Sequence, residues 1–502
     1  MCGIFGFIGT NLLPHSILVE ALYCLEYRGY DSAGLGMITE KDGLCFAKAK
    51  GRIESLDKLL SKHPLQGDVG IAHTRWATHG KPSELNAHPH LDSTLKFAVV
   101  HNGIIENCEQ LKEELISKGH TDLIESETDT AVIPYLIAAE YAETLDLVLS
   151  VQRAAVKLVG SFSLAVICQD EPNTLIAVRH QSPLIIGLSD SQTYITSDVS
   201  AILKYTKNTY CLNDNEMAVL GKNSVRIIDI VSGKTVEKAV TVIEWDYVQA
   251  TKNGFEHYML KEIYEQPQSI KDTLALRIID NKVVLKEINL SRDHLCKVNK
   301  IHIVACGTAM HAGLVGLSLI RSCARITCIA EVASEFRYSN PILDSNSLVI
   351  IVSQSGETAD SLAALREAKR LGAHVIGITN VVGSSVHRES DSVILTRSGP
   401  EVSVASTKAY TAMLAVFYLI ALHLADIYGT MPSDVIASCV EELLKLPQIT
   451  QDTLKIAEQM EMYAKYIISQ PTAFFVGRGL DFCVAVEGSL KLKEISYIHS
   501  EA

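Results

Sequence analysis

Several absences narrow the class of this 502-residue chain before any motif is read. It has no basic block. Its 45 Lys and Arg stand against 58 Asp and Glu, for a formal charge of −13, which argues against a polyanion-binding surface as its main business. The 12 cysteines are scattered, with no Cys-x-x-Cys pair and no His-rich companion cluster. Neither a disulfide framework nor a zinc site is expected, and reduced thiols are. Met1-Cys2-Gly3-Ile4-Phe5-Gly6 lacks the basic start of a secretory peptide. The longest apolar run, Ala409 to Ala425, spans 17 residues and contains Tyr410, Thr411, Tyr418 and His423, which fits a buried helix of an α/β domain better than a membrane span. No Gly-x-Gly-x-x-Gly follows a strand, so a dinucleotide fold has no support. A cytoplasmic protein with no nucleic-acid or membrane partner is expected.

What is present is globular: 47% hydrophobic and 21% charged residues, in a length that holds about two to four domains. Residues 1–240 carry short β-type runs (Val69–Ala72, Phe97–Val100, Ser161–Cys168, Thr174–Val178, Leu184–Leu188) and helical spacing at Ile17, Leu18, Ala21, Leu22 and Leu25. This pattern predicts an α+β layered sandwich. Residues 241–289 are mixed and polar and read as a connecting region. Over 290–432, buried strands at Ile301–Ala305, Ser347–Val352, Val375–Ile378 and Val393–Leu395 alternate with helices, which predicts a doubly wound parallel sheet. The strand–Gly turn–helix phrase of Ile303–Thr308 returns at Phe474–Gly479. A second, incomplete copy of that domain is therefore expected over 460–502, with the chain ending inside it.

Cys2 is the first chemical candidate. Removal of Met1 puts thiol and α-amine on one residue, and their reference pKa values of about 8.5 and about 7.7–8.0 let the amine assist proton removal. Thiol attack on an amide also needs an oxyanion hole, a substrate anchor and closure against water. Four further segments follow in order: Leu25–Gly34 (LEYRGYDSAG), His73–Gly80 (HTRWATHG), His101–Asn107 (HNGIIEN) and Ser126–Asp129 (SETD). Together with the start, they resemble the N-terminal-nucleophile (class II) glutamine amidotransferases. The resemblance implies that Cys2 forms a thioester with the glutamine side chain and that the Asn102 side chain and Gly103 N–H stabilise the oxyanion. It implies that Arg75 pairs with the substrate α-carboxylate and Asp129 with its α-ammonium, with Trp76, Thr78 and His79 in a closing segment hinged at Gly80. Taken singly, a surface arginine, an Asn-Gly turn and a capping aspartate remain the plainer readings of these residues.

In the second half, Ser353-Gln354-Ser355-Gly356-Glu357-Thr358 sits where a strand meets a helix. Hydroxyls and free backbone N–H groups there form a phosphate cradle, although a helix cap without a ligand has the same composition. Val404-Ala405-Ser406-Thr407-Lys408 is a second hydroxyl cluster. These segments resemble sugar isomerase (SIS) domains, and the whole order resembles the glutamine–fructose-6-phosphate aminotransferase (isomerizing) family. Glu262–Pro267, Ala333–Tyr338 and Lys491–Tyr497 add to the match.

The resemblance implies L-glutamine and D-fructose 6-phosphate as substrates, no cofactor and no metal, a homodimer, and a place at the start of hexosamine synthesis. It implies that Thr308, Ser353, Gln354, Ser355, Thr358, Val404 and Ser406 hold the sugar phosphate. Glu494 is then the acid/base for ring opening and C1–C2 proton transfer, with Lys491 beside it, a task that suits a carboxylate whose pKa is raised by burial. Two departures from the family pattern stand out. Ala309 replaces a serine, and the Lys-His-Gly-Pro segment and C-terminal Schiff-base lysine are missing, so glutaminase activity without synthesis is one expectation. A sugar-phosphate-binding regulatory protein is the non-enzymatic alternative.

Overall fold

The computed structural model describes residues 2–77, 79–119, 126–245 and 252–502. The chain forms two compact units, Met1–Tyr247 and Val248–Ala502. In the first, alternating apolar strands form two antiparallel sheets. One runs Thr241–Val242, Asn208–Cys211, Ile185–Leu188, Gln192–Thr196, Gly3–Pro14, Gln66–Arg75, Ser32–Thr39, Gly43–Lys50. The other runs Thr235–Val236, Ser224–Asp229, Glu216–Gly221, Thr174–His180, Gly160–Cys168, Phe97–Ile105, His90–Leu91. Their facing sides share a core of Ile4, Ile8, Val69 and Ile71 against Val100, Ala165, Ile167 and Ala177. Each of these isoleucine and valine side chains contributes about 1.5–3 kcal/mol on full burial.

Helices cover the outer faces. Ser16–Leu25 turns Leu18, Leu22 and Leu25 inward at helical spacing. On the other side, Val132–Thr144 and Leu147–Lys157 pack over Phe97, Val99 and Val166. The result is the expected layered sandwich. It sets Cys2, immediately before Gly3, beside the end of the strand that carries Arg75, because Gly3 pairs with Thr74, while Asn102 lies in strand Phe97–Ile105 of the facing sheet.

The second unit holds the expected parallel sheet, in the order Thr327–Val332, Lys300–Ala305, Ser347–Val352, His374–Thr379, Ser392–Leu395. The apolar run lies within helix Lys408–Tyr428. That helix is long and apolar enough to cross a membrane by length and composition, and here Ala409, Met413, Val416, Phe417 and Ile420 are core residues. The region read as a connector behaves differently from that reading. Residues Tyr258–Leu274 form a 17-residue helix that buries Lys261, Glu262, Ser269 and Thr273 as well as Ile270 and Leu274. Its packed face is largely polar and it contains Pro267, so no apolar stripe marks it in the sequence. Over 460–502, strands Thr472–Phe474 and His499–Glu501 pair in parallel around helix Leu480–Ser496.

Candidate active site

In the first unit, Cys2, Asn102, Arg75 and Trp76 come together. Cys2 is half-buried, and the Trp76 backbone N–H donates to its Sγ at 3.3 Å. Burial pushes the thiol up, while the Trp76 N–H bond and the Arg75 charge pull it back toward the thiolate. Asn102 Nδ2 donates to the Cys2 carbonyl at 3.1 Å. Gly103 has φ +127°, and a Cβ there would lie 1.9 Å from Ser161 O, so only glycine fits beside Asn102. Gly29 likewise presses on the Arg75–Trp76 peptide, with 2.5 Å from a Cβ to Arg75 C.

Arg75 is 4% exposed. Its Nη2 donates to the carbonyls of His79 and, at 3.0 Å, Gly80. Its Nη1 is buried with no hydrogen-bond partner among the described residues. Asp31 takes the Ala77 N–H at 2.8 Å. Trp76 stays partly exposed, with Tyr30 edge-on at 5.2 Å. Asn86 ties the following loop down by donating to Lys81 O and Glu127 Oε2, both at 3.0 Å. Gly80, at φ +74°, makes the turn. Thr78 lies outside the described residues. Asp129 accepts the Ile105 N–H at 2.7 Å, which places its carboxylate beside the end of the strand bearing Asn102 and Gly103.

Sequence reasoning missed four histidines beneath this site. His73, His88, His90 and His101 are all buried. His73 stacks on His88 at 3.9 Å, and His88 meets His90 edge-on at 4.8 Å. Burial lowers the pKa of all four. His73 and His101 each open one of the motifs, while His88 and His90 lie outside all four, and nothing in their spacing signals a stack.

In the second unit the hydroxyl loop 353–358 follows strand Ser347–Val352 and leads into helix Ala359–Arg370. Its backbone N–H groups are not all free, as the cradle reading had them. Gly356 N–H donates to Ser353 Oγ at 3.1 Å and Glu357 N–H to Ser355 Oγ at 3.2 Å, because a tight loop satisfies its own donors first. The plain helix-cap reading does not describe Thr358 either. It occupies the N-cap position without a side-chain cap bond, and its Oγ1 lies 3.0 Å from Ser353 Oγ. Gly356 has φ +66°, and a Cβ would lie 2.1 Å from Ser384 Oγ. Gln354 O accepts from Asn380 N–H at 3.1 Å.

The loop that bears Val404 and Ser406 is shaped by two carboxylates. Glu262 accepts from Val402 N–H at 2.5 Å and Ser403 N–H at 3.0 Å. Glu401 accepts from Ser406 Oγ and Thr407 N–H, both at 2.8 Å. Burial, with the Glu401 charge adding to it, raises the Glu262 pKa against the pull of its hydrogen bonds. Val404 is exposed.

Thr308 Oγ1 donates to Glu487 Oε1 at 3.0 Å. Glu487, Lys491 and Glu494 follow at i, i+4 and i+7 on one helix face, with Lys491 Nζ 3.6 Å from Glu487 and 2.6 Å from Glu494. The burial expected at Glu494 falls on Glu487 instead, which is 5% exposed. The reason is the face on which helix Leu480–Ser496 packs. It seats Cys483, Ala485, Glu487 and Ser489 and leaves Glu494 near the exposed last turn.

Comparison with known proteins matches a glutamine amidotransferase domain over residues 73–204 and a SIS domain over 294–423. The glutamine–fructose-6-phosphate aminotransferase (isomerizing) of Caldanaerobacter subterraneus subsp. tengcongensis is 51% identical over 503 residues, covering 100% of this chain and 82% of the relative. The enzymes of that name from Clostridium tetani and Clostridium acetobutylicum are 49% and 47% identical, with the same coverage. A match of this closeness runs through both units and every segment described above, and the chain belongs to the glutamine–fructose-6-phosphate aminotransferase (isomerizing) family.

Proposed function

We propose that the first unit hydrolyses L-glutamine at Cys2 and that the released ammonia aminates D-fructose 6-phosphate held by the second, giving L-glutamate and D-glucosamine 6-phosphate. The observation that carries this reading is the Asn102 amide N–H end turned onto Cys2 at 3.1 Å. A donor there stabilises the oxyanion formed when the Cys2 thiolate attacks the substrate amide. The Gly103 N–H is the second donor. With Met1 removed, the Cys2 α-amine takes the thiol proton and passes it to the leaving ammonia.

The unspent Arg75 Nη1 receives the substrate α-carboxylate, for which a guanidinium fork is suited, and Asp129 receives the α-ammonium. Trp76 and His79 close over the site. In the second unit Ser353, Gln354, Ser355 and Thr358 bind the phosphate, with Thr308, Val404 and Ser406 along the sugar. Glu494, paired with Lys491, moves the proton between C1 and C2. A cytoplasmic homodimer without nucleic-acid or membrane partners belongs to the same reading, supported by the family and by the acidic charge balance.

The test is the division of labour between units. Glutamate release should be lost in Cys2→Ala while fructose 6-phosphate binding, measured by calorimetry, persists. Undiminished release by Cys2→Ala would overturn the reading.

A further inference from the structure

His73 lies on strand Gln66–Arg75, paired with Ile4 on one side and Gly34 on the other, and is fully buried. Its Nε2 is 3.0 Å from Asn102 Oδ1 and 3.0 Å from the His101 carbonyl oxygen. Two acceptors facing one ring nitrogen require a hydrogen on it, because a bare lone pair there would meet two others. His73 is therefore the Nε2–H tautomer. Its Nδ1 is buried and has no hydrogen-bond partner among the described residues, so a second proton there would be unsolvated. Burial accordingly lowers its pKa to about 3, and the ring stays neutral. His88 stacks on it with 18° between planes, while His88 Nδ1 accepts from the His101 N–H at 3.2 Å. Turning the His73 ring would disturb both contacts.

The consequence falls on Asn102. A carboxamide has an acceptor end and a donor end of nearly equal shape, and only its partners decide which way it points. Here the His73 N–H takes the oxygen. The reversed amide would set its NH2 against the His73 N–H and its oxygen against the Cys2 carbonyl, two repulsive contacts in a buried place. We propose that His73 is a positioning residue for glutamine hydrolysis, holding the Asn102 amide with its N–H end toward the Cys2 reaction centre. This rests on the oxyanion role given to Asn102 above.

Steady-state glutamine hydrolysis by the full chain tests it, with His73→Phe, His73→Gln, Asn102→Ala and the His73→Phe/Asn102→Ala pair. Phenylalanine keeps the ring volume and removes the donor. Its kcat should fall by about tenfold or more with KM within about threefold, while iodoacetamide alkylates Cys2 at the wild-type rate. Glutamine reaches as far as Nε2, so His73→Gln should recover to within about fivefold of wild type. Added to Asn102→Ala, His73→Phe should cost less than about threefold more. Where His73→Phe does not fold, His73→Asn, whose amide stops short of Asn102, should lose what His73→Gln keeps. An unchanged kcat in His73→Phe, losses that multiply in the double variant, or a glutamine no better than asparagine would overturn the proposal. An Asn102→Ala chain as active as wild type would instead overturn the oxyanion reading beneath it.

Discussion

His311 Nδ1 lies 2.7 Å from Glu487 Oε2, joining helix Gly307–Cys323 to helix Leu480–Ser496 through a carboxylate that also accepts from Thr308. Lys491 adds its charge at 3.6 Å. Glu487 thus collects two hydrogen-bond partners and one ion-pair partner from two helices in a buried position. Glu487→Gln removes the charge and turns an N–H toward one of those partners. The second unit should lose about 2–4 kcal/mol of stability, read as an earlier midpoint for its unfolding in urea, with glutamine hydrolysis at the first unit retained. An unshifted midpoint would show that the three contacts carry no net stabilisation.

The hydroxyl loop offers a test on the ligand side. Ser353→Ala with Thr358→Ala removes the two hydroxyls that the proposed function assigns to the phosphate dianion, each worth about 1.5–3 kcal/mol as a charge-assisted bond. Fructose 6-phosphate affinity should fall by at least about tenfold, with glutamine hydrolysis in the absence of the sugar little changed. Equal affinity in a folded double variant would leave the Ser353–Thr358 pair as loop structure alone.

Asp198 sets part of the acid limit of the first unit. Burial pushes its carboxyl up, but the Arg28 charge and the Tyr27 hydroxyl outweigh this and hold it below the ordinary range, with Arg28 Nη2 at 2.6 Å and Tyr27 Oη at 2.5 Å. A carboxyl depressed in the folded state adds stability above the unfolded value of about 3.9 and loses it as pH falls through the folded value. Asp198→Asn should therefore be the less stable form at pH 7. The gap to wild type should shrink steadily in denaturation series run below about pH 4.

The legible part of this protein is its short local segments. Cys2 directly precedes strand Gly3–Pro14, Arg75 ends strand Gln66–Arg75, and Asn102 and Gly103 lie within strand Phe97–Ile105; a nucleophile, a forked cation and a glycine at φ +127° leave a local signature there. The alternation of strands and helices from Lys300 to Leu395 is likewise written in hydrophobic periodicity. What escaped were pairs made across long separations. His73 meets Asn102 29 residues away, Glu262 meets Val402 140 residues away, and His311 meets Glu487 176 residues away. No period of 2 or 3.6 encodes such contacts. Helix Tyr258–Leu274 escaped because its buried face is polar, paired to loops and charges elsewhere in its unit.

Lys48 shifts stability with pH in the same direction as Asp198 but in an alkaline window, and at pH 7 its charge costs stability where that of Asp198 adds it. It lines a cavity of about 460 Å³ with Phe46, Leu59, Leu60 and Leu65, and burial lowers its pKa to about 8. Between that value and the unfolded value of about 10.4 the unfolded chain binds more protons, so stability rises with pH across this window. Below it the folded state bears the full cost of a half-buried charge. Lys48→Met should be more stable than wild type at pH 7 by about 1–2 kcal/mol after solvent screening. The two should converge in melts above about pH 10.4. A difference that does not depend on pH would mean the gain comes from packing.

The central claim, that Cys2 is the nucleophile acting on glutamine, is tested most directly by trapping the intermediate. The chain is mixed with L-glutamine, quenched in acid during turnover, digested, and the N-terminal peptide is analysed by mass spectrometry. The account expects a peptide that begins at Cys2 and carries a γ-glutamyl thioester on its sulfur, absent when Asn102→Ala slows its formation or when glutamine is omitted. Glutamate release with no adduct on Cys2, sustained by a Cys2→Ala chain, would contradict it.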